Sequence, residues 1–465
     1  MNNQVDAPPN AIRYLREQAG LTQEELGRRL GVDGNTVSRW ELGRTRPRPS
    51  QQRGLAREFS VSLVQLQIPA RHIAPAQPSP LAFLEEPPII AVDTRIADDQ
   101  AAWIRTRKGL NKHRAALTEL AVDAYLPGVV LDGTTLLAPP SWIPDEPVGL
   151  ADLRCDFEPD AAPVAVDGTG EATAHVRPLA DLTRRYPRYT AAVRDLARPR
   201  LYENRLSWRL LNVDGRRLTF ADACYFDTMD VHEAVGHEMA YVHLNADGEL
   251  AGRTPALRDL PLRRAIADPF ALTKRPCIAS ISTLFIRGGD RPTFLLHRRD
   301  ASAVAIAGSM LHVVPTGIFQ PSSLLPSARD IDFDPWRNIQ REISEELFGD
   351  PEHDGEGQPI DYTREPFATL DEARERGDLR VWYLGTGLDA LTLAGEILTA
   401  CVLAPNLYDR LAPDFVLAND EGRIVAEPAP LDEATVRPLI ECGRLAPAAA
   451  GAIALAWQHR SVILG

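Results

Sequence analysis

Three glutamates, Glu342, Glu345 and Glu346, stand at i, i+3 and i+4 in the run Arg341-Glu342-Ile343-Ser344-Glu345-Glu346-Leu347-Phe348. On a helix this spacing crowds all three carboxylates onto one stripe, where like charges repel by roughly 0.2–0.5 kcal/mol per pair. A cation beside them would relieve that repulsion. Hard oxygen ligands of this kind suit Mg²⁺ or Mn²⁺, ions that usually also hold substrate phosphates. Other clusters point to weaker chemistry. His232-Glu233 and His237-Glu238 resemble a zinc-protease helix, but their histidines are five apart rather than four. That places them about 140° apart on a helix, so a polar patch or ligand contact is expected instead. Arg105, Arg107, Lys108, Lys112 and Arg114 read as a solvated face, with phosphate or DNA contact as the alternative. Arg184-Arg185-Tyr186-Pro187-Arg188-Tyr189 reads as a packed surface loop, with base stacking as the alternative.

The elements that must hold the glutamates can be traced. Asp334-Pro335 pairs a cap with a proline at the first helical position, and Gly349 ends the helix. Trp336, Ile339, Ile343 and Leu347 form its inward stripe. Strands are expected over 278–287, 293–297, 310–318, 381–384 and 397–403, with a closing helix over 447–457. Mixed strands with one central and one terminal helix suggest an α/β sandwich over 271–465. Residues 89–270 read as a mixed α/β region, with a strand at 89–96 and helices at 110–124, 189–196 and 231–241. Whether this region and the tail form one unit is left open. Five prolines in 72–88 imply a semi-stiff linker. Residues 1–71 read as an all-α head. Its helices are set by Gly20, the Thr22–Glu25 capping box, Gly31, the Asp33 cap and Gly43, with a fourth helix near 50–59 and a fifth near 63–66.

Composition is that of a globular multi-domain chain: 465 residues, 44% apolar and 25% charged. No apolar run is long enough for a bilayer, and the polar first ten residues lack a secretory core, so a cytoplasmic protein is expected. The five scattered cysteines argue against a disulfide framework or a cysteine zinc site. The net charge is −13, yet residues 1–72 carry eleven arginines, no lysine and seven acids. A basic head on an acidic body suits a head that meets phosphate.

The head's residue pattern resembles the phage-repressor-like (XRE) helix-turn-helix family. The resemblance rests on Leu21-Thr22-Gln23-Glu24-Glu25-Leu26, Leu30-Gly31-Val32 and Thr36-Val37-Ser38-Arg39-Trp40-Glu41. It implies that the second helix of the motif enters the major groove of double-stranded DNA. Gly34, Asn35 and Arg39 would then face bases, with Ser38 nearby, and Gln23 would contact phosphate. Asn pairs bidentately with adenine and Arg with guanine. Arg44, Arg46 and Arg48 could clamp the backbone, while Val37 and Trp40 pack the reading helix down. A homodimer is expected, because one head reads only a half-site.

The tail run resembles the second half of the Nudix box. Arg341, Glu342, Ile343, Glu345 and Glu346 match, but Phe348 stands at the closing glycine. The first half departs further: Ser327 and Phe333 fall where glycine and glutamate belong. Gly317 is the nearest natural glycine, and using it requires an inserted loop over 320–332. Asp332 or Asp334 could stand in for the missing acid. The resemblance implies Glu342, Glu345 and Glu346 as metal ligands, Arg341 as a structural partner pairing with Glu345, and Glu345 as catalytic if the domain is active. The whole chain thus reads as a DNA-binding transcriptional regulator whose Nudix-like domain senses a phosphorylated, nucleotide or nucleotide-sugar metabolite. An active diphosphate hydrolase and a dimerising scaffold are the alternatives.

Overall fold

The computed structural model describes residues 11–59, 94–125, 127–199, 202–251, 257–299, 310–323, 325–351, 359–416, 422–424 and 427–465. The proline-rich segment 72–88 and the expected helix at 63–66 lie outside them. The chain divides into two compact units, Met1–Val92 and Asp93–Gly465. Among the described residues no helix is long and apolar enough to cross a membrane. The five cysteines are free thiols.

The first unit contains α1 (Ala11–Gln18), α2 (Gln23–Leu30), α3 (Gly34–Glu41) and α4 (Pro49–Glu58). Their apolar faces meet in a core of Ile12, Leu26, Val37, Trp40 and Leu55.

The second unit is mixed α/β. Its middle part contains α5 (Arg95–Lys112), α6 (Arg114–Val122), α7 (Tyr189–Leu196), α8 (Tyr225–His243) and α9 (Pro261–Ile266). Residues 89–93 lie outside the described residues. From Arg95 the chain is helical, not the strand expected over 89–96. The helix expected over 110–124 is two helices, divided at His113. Strands β1 (Leu136–Leu137) and β2 (Val148–Gly149) pair with β11 (Leu379–Asp389) of the tail. A small sheet joins β3 (Arg154–Phe157), β4 (Leu206–Asp214) and β5 (Arg217–Cys224) in the order β3-β5-β4.

At the centre of the tail, β6 (Ala279–Arg287) runs parallel to β12 (Gly395–Leu403), which pairs antiparallel with β11. Along β12, Ile397, Cys401 and Leu403 enter one core while Leu398, Ala400 and Val402 enter another. This is the two-residue period of a strand buried on both faces. One face is covered by α11 (Pro335–Glu342), the other by α12 (Pro447–Gln458). The core on the α11 side runs continuously from Trp103 to Tyr408, so the apolar interior crosses positions 270 and 271 without a break.

Two expectations near the acidic helix are corrected. The single strand expected over 310–318 is two, β9 (Leu311–Val313) and β10 (Thr316–Ile318). They are parted at Val314-Pro315, where proline has no N–H for a ladder. The loop expected over 320–332 contains α10 (Pro326–Asp332).

Candidate nucleic-acid interface and the acidic helix

In the head, Thr22 Oγ1 accepts from the Glu25 amide at 3.1 Å, and Glu25 returns a carboxylate to the Thr22 amide at 2.8 Å. This reciprocal box satisfies two N-terminal donors of α2. Gly31 closes the helix at φ +68°, a left-handed cap that glycine adopts without strain. Asp33 then caps α3 by accepting from the Thr36 amide at 2.6 Å. Val37 and Trp40, one helical turn apart, are buried and pin α3 to the core.

The outer face of α3 presents Asn35 and Arg39 to solvent, one turn apart, with Ser38 half-buried beside them. Arg39 lies back along its own helix, with Nε 3.3 Å from the Asn35 carbonyl oxygen and Nη2 3.3 Å from Thr36 Oγ1. Arg44, Arg46 and Arg48 are exposed in the segment after α3. Two residues expected at the DNA also have structural work. A β-carbon at Gly34 would come within 2.9 Å of Glu24 Cγ, so this glycine allows α3 to start hard against α2. Gln23 donates its side-chain amide to Glu41 at 2.7 Å. Glu41 is buried and also receives Arg16, at 2.6 and 3.2 Å. Residue patterning missed this Arg16–Glu41–Gln23 lock. Its one sequence signal is an acid beside Trp40, on the inward side of α3.

Residues 12–66 match the helix-turn-helix family model. This match supports an XRE-type DNA-binding head. No curated protein matches the chain. In helix-turn-helix proteins the second helix of the motif enters the major groove, and α3 is the second helix of the motif here.

The acidic helix departs from a regular α-helix where its carboxylates lie. Ile343–Leu347 forms a π turn that continues α11. Glu342 packs against Gly317 of β10, where a β-carbon would overlap its carboxylate. Glu346, buried, accepts from the Thr316 amide at 3.1 Å. Glu345 is half-buried. Among the described residues no group of three or more His, Cys, Asp or Glu side chains converges as metal ligands do.

Arg341 is almost fully buried and lies 3.1 Å from Asp332. It donates to the Tyr362 hydroxyl at 3.0 Å and to the Gln320 carbonyl at 2.5 Å. Asp332 further accepts from Tyr362 and from the amide and hydroxyl of Ser322. Burial pushes the Tyr362 hydroxyl's pKa up, keeping it a donor. Asp334 caps α11 through the Trp336 amide at 2.8 Å. Neither acid proposed to replace the missing glutamate joins the glutamate stripe: Asp332 is a counterion and Asp334 is a cap.

His232 and His237 are both buried, each with its pKa pushed down to about 3 by burial and therefore neutral. His232 sits between the Thr392 carbonyl and the Ile278 amide, and His237 bonds to the Tyr189 hydroxyl. They serve separate packing contacts. In the 184–189 run, Arg188 reaches the buried Asp230 at 2.9 Å and Tyr189 is wholly buried, so part of it is core.

Proposed function

We propose that this protein is a sequence-specific, DNA-binding transcriptional regulator that acts as a homodimer, with a Nudix-like tail that senses a small phosphorylated or nucleotide metabolite. The observation that carries the DNA reading is the face of α3: Asn35 and Arg39 exposed one turn apart on a helix capped by Asp33 and pinned by Val37 and Trp40. A single head covers a half-site, so two heads on a two-fold operator are expected.

For the tail, the sensing reading is supported by how the acids are used. Glu346 bonds to β10, and Glu342 packs on it. A ligand that displaced these contacts would move β10 against α11, and differential binding of that kind is what shifts a conformational equilibrium. One observation favours the hydrolase alternative: the π turn falls on Glu345 and Glu346, and such turns concentrate at functional sites. The Mg²⁺ or Mn²⁺ expected from the glutamates belongs to that second reading.

The test of DNA reading is selection of bound duplexes from a random pool with the full chain, followed by titration of the selected site. Arg39→Ala should weaken the selected site by about 1–3 kcal/mol, roughly 5- to 150-fold, and relax preference at one base position. Arg44→Ala should weaken all sequences alike and reduce the salt slope by about 1. Equal loss on selected and random DNA for Arg39→Ala would remove its assigned base contact. For the tail, Glu345→Gln should leave DNA binding intact. Nucleotide consumption that this substitution abolishes would replace the sensor with the enzyme.

A further inference from the structure

Arg107, Asn111 and Arg114 stand at i, i+4 and i+7 along α5 and the start of α6, on one face of the helical run. Arg107 and Arg114, expected in a solvated basic face, are 5% and 3% exposed. Both turn inward to a single carboxylate, Glu233 of α8, which is wholly buried. Arg107 Nη1 is 2.9 Å from Glu233 Oε2, and Arg114 Nη2 is 3.4 Å from Oε1.

The other acids of α8 are committed elsewhere. Asp230 holds Arg188 and the amide and hydroxyl of Thr190. Glu238 accepts the amides of Leu262 and Arg263 at the start of α9, and the His175 ring lies 3.1 Å from it. Tyr189 accepts from Arg107 and bonds to His237, which is neutral. Two guanidiniums, which do not lose their protons in proteins, therefore share one carboxylate. Among the described residues this leaves one positive charge in excess in a buried setting. Among the described residues Arg114 Nε and Nη1, both buried, have no hydrogen-bond partner, and neither has Asn111 Oδ1. Arg263 and Arg275 are also buried, but each rests on loop carbonyls rather than beside a second arginine on a shared acid.

Donors with no acceptor, an excess cation and a buried acceptor one turn away are complementary to an anion that also carries a hydroxyl. We infer that Arg107 and Arg114 form a binding site for a small oxyanion, the phosphoryl or carboxylate group of a metabolite, taken up beside Glu233. Asn111 accepts the ligand's hydroxyl, the P–OH of a monohydrogen phosphate or the alcohol of a hydroxy acid. The inference deepens the sensor reading by giving the effector's chemistry and a seat in the middle region, but anion binding itself is measured without DNA.

The test is calorimetric titration and thermal unfolding of the full chain with inorganic phosphate and, separately, glycolate, against chloride at matched ionic strength. Saturable one-site binding of either is expected, and the tighter of the two identifies phosphoryl or carboxylate as the ligand group. Arg114→Met should weaken it at least tenfold. Glu233→Gln removes the competing carboxylate and should tighten binding about fivefold. Arg114→Lys, which keeps the charge but loses the guanidinium's planar donors, should also weaken binding and carries the test if either variant fails to fold. No saturable binding beyond the chloride control overturns the site. So does affinity unchanged in Arg114→Met, or unchanged or weaker in Glu233→Gln. Binding that leaves DNA affinity unaltered supports the site while removing the sensor reading.

Discussion

Glu41→Ala is expected to unfold the head and abolish binding to every DNA sequence, although Glu41 touches no base in the proposed mode. Its carboxylate is the shared acceptor for Arg16 and Gln23. Arg16 is half-buried; its Nη1 goes to the Leu21 carbonyl, and its Nη2 also lies 3.4 Å from the exposed Glu17. Removing one partner of a buried ion pair costs about 3–5 kcal/mol because the other charge stays behind, and the exposed Glu17, a surface partner, offsets only part of that. Domains are stable by only roughly 5–15 kcal/mol, and small ones lie at the low end because they bury less of their surface. The head's described core has five buried apolar side chains, so the loss takes most of its stability. The checks are far-ultraviolet circular dichroism on heating and titration with both selected and random duplex. Arg16→Met combined with Glu41→Leu should restore the fold, since apolar replacement of a buried pair is often neutral. A Glu41→Ala protein that melts like the parent and binds random DNA normally would show the lock to be dispensable. The contrast with Arg39→Ala is diagnostic: one substitution removes the reader, the other only a letter of what it reads.

The head was legible because each of its boundaries is written in local chemistry. Thr22 and Asp33 are caps whose partners lie three residues on, and Gly31 supplies the left-handed turn between them. The tail's acidic helix was legible at its start for the same reason, through Asp334 and Pro335. What failed there was long-range. Asp332 reads as a spare acid, and only the fold brings it to Arg341 and Tyr362. The π turn over Ile343–Leu347 leaves no signal in a pattern of apolar spacing that suits an α-helix equally well. The buried arginines show the same limit. A basic run without acids looks solvated because its counterion, Glu233, lies 126 residues from Arg107 along the chain. The 107, 111, 114 periodicity was available in the sequence, but nothing local distinguishes an inward polar stripe from an outward one.

Asp332→Ala should be among the most damaging single changes in the second unit, at about 3–5 kcal/mol by the cost of stranding a buried charge. Arg341 would keep the Tyr362 hydroxyl and the Gln320 carbonyl but lose its only acidic partner within hydrogen-bond reach among the described contacts. The Ser322 amide and hydroxyl and the Tyr362 hydroxyl would lose their acceptor in the same step. Asp332→Asn keeps one carbonyl oxygen and should cost less, and Arg341→Met in the Asp332→Ala background should recover part of the loss by removing the stranded cation. Chemical denaturation of the full chain, followed by tryptophan fluorescence, measures these differences. The effect should also spread along the chain: Arg341 immediately precedes Glu342, whose carboxylate is fitted to the bare backbone of Gly317. Loosening Arg341 therefore loosens the seat of the glutamate stripe, and any ligand held by the tail should weaken with it. DNA binding by the head should survive, because the head folds around its own core and its own buried ion pair. If Asp332→Ala left stability unchanged, Arg341 would have to be compensated by another group, and the counterion role assigned to Asp332 would be wrong.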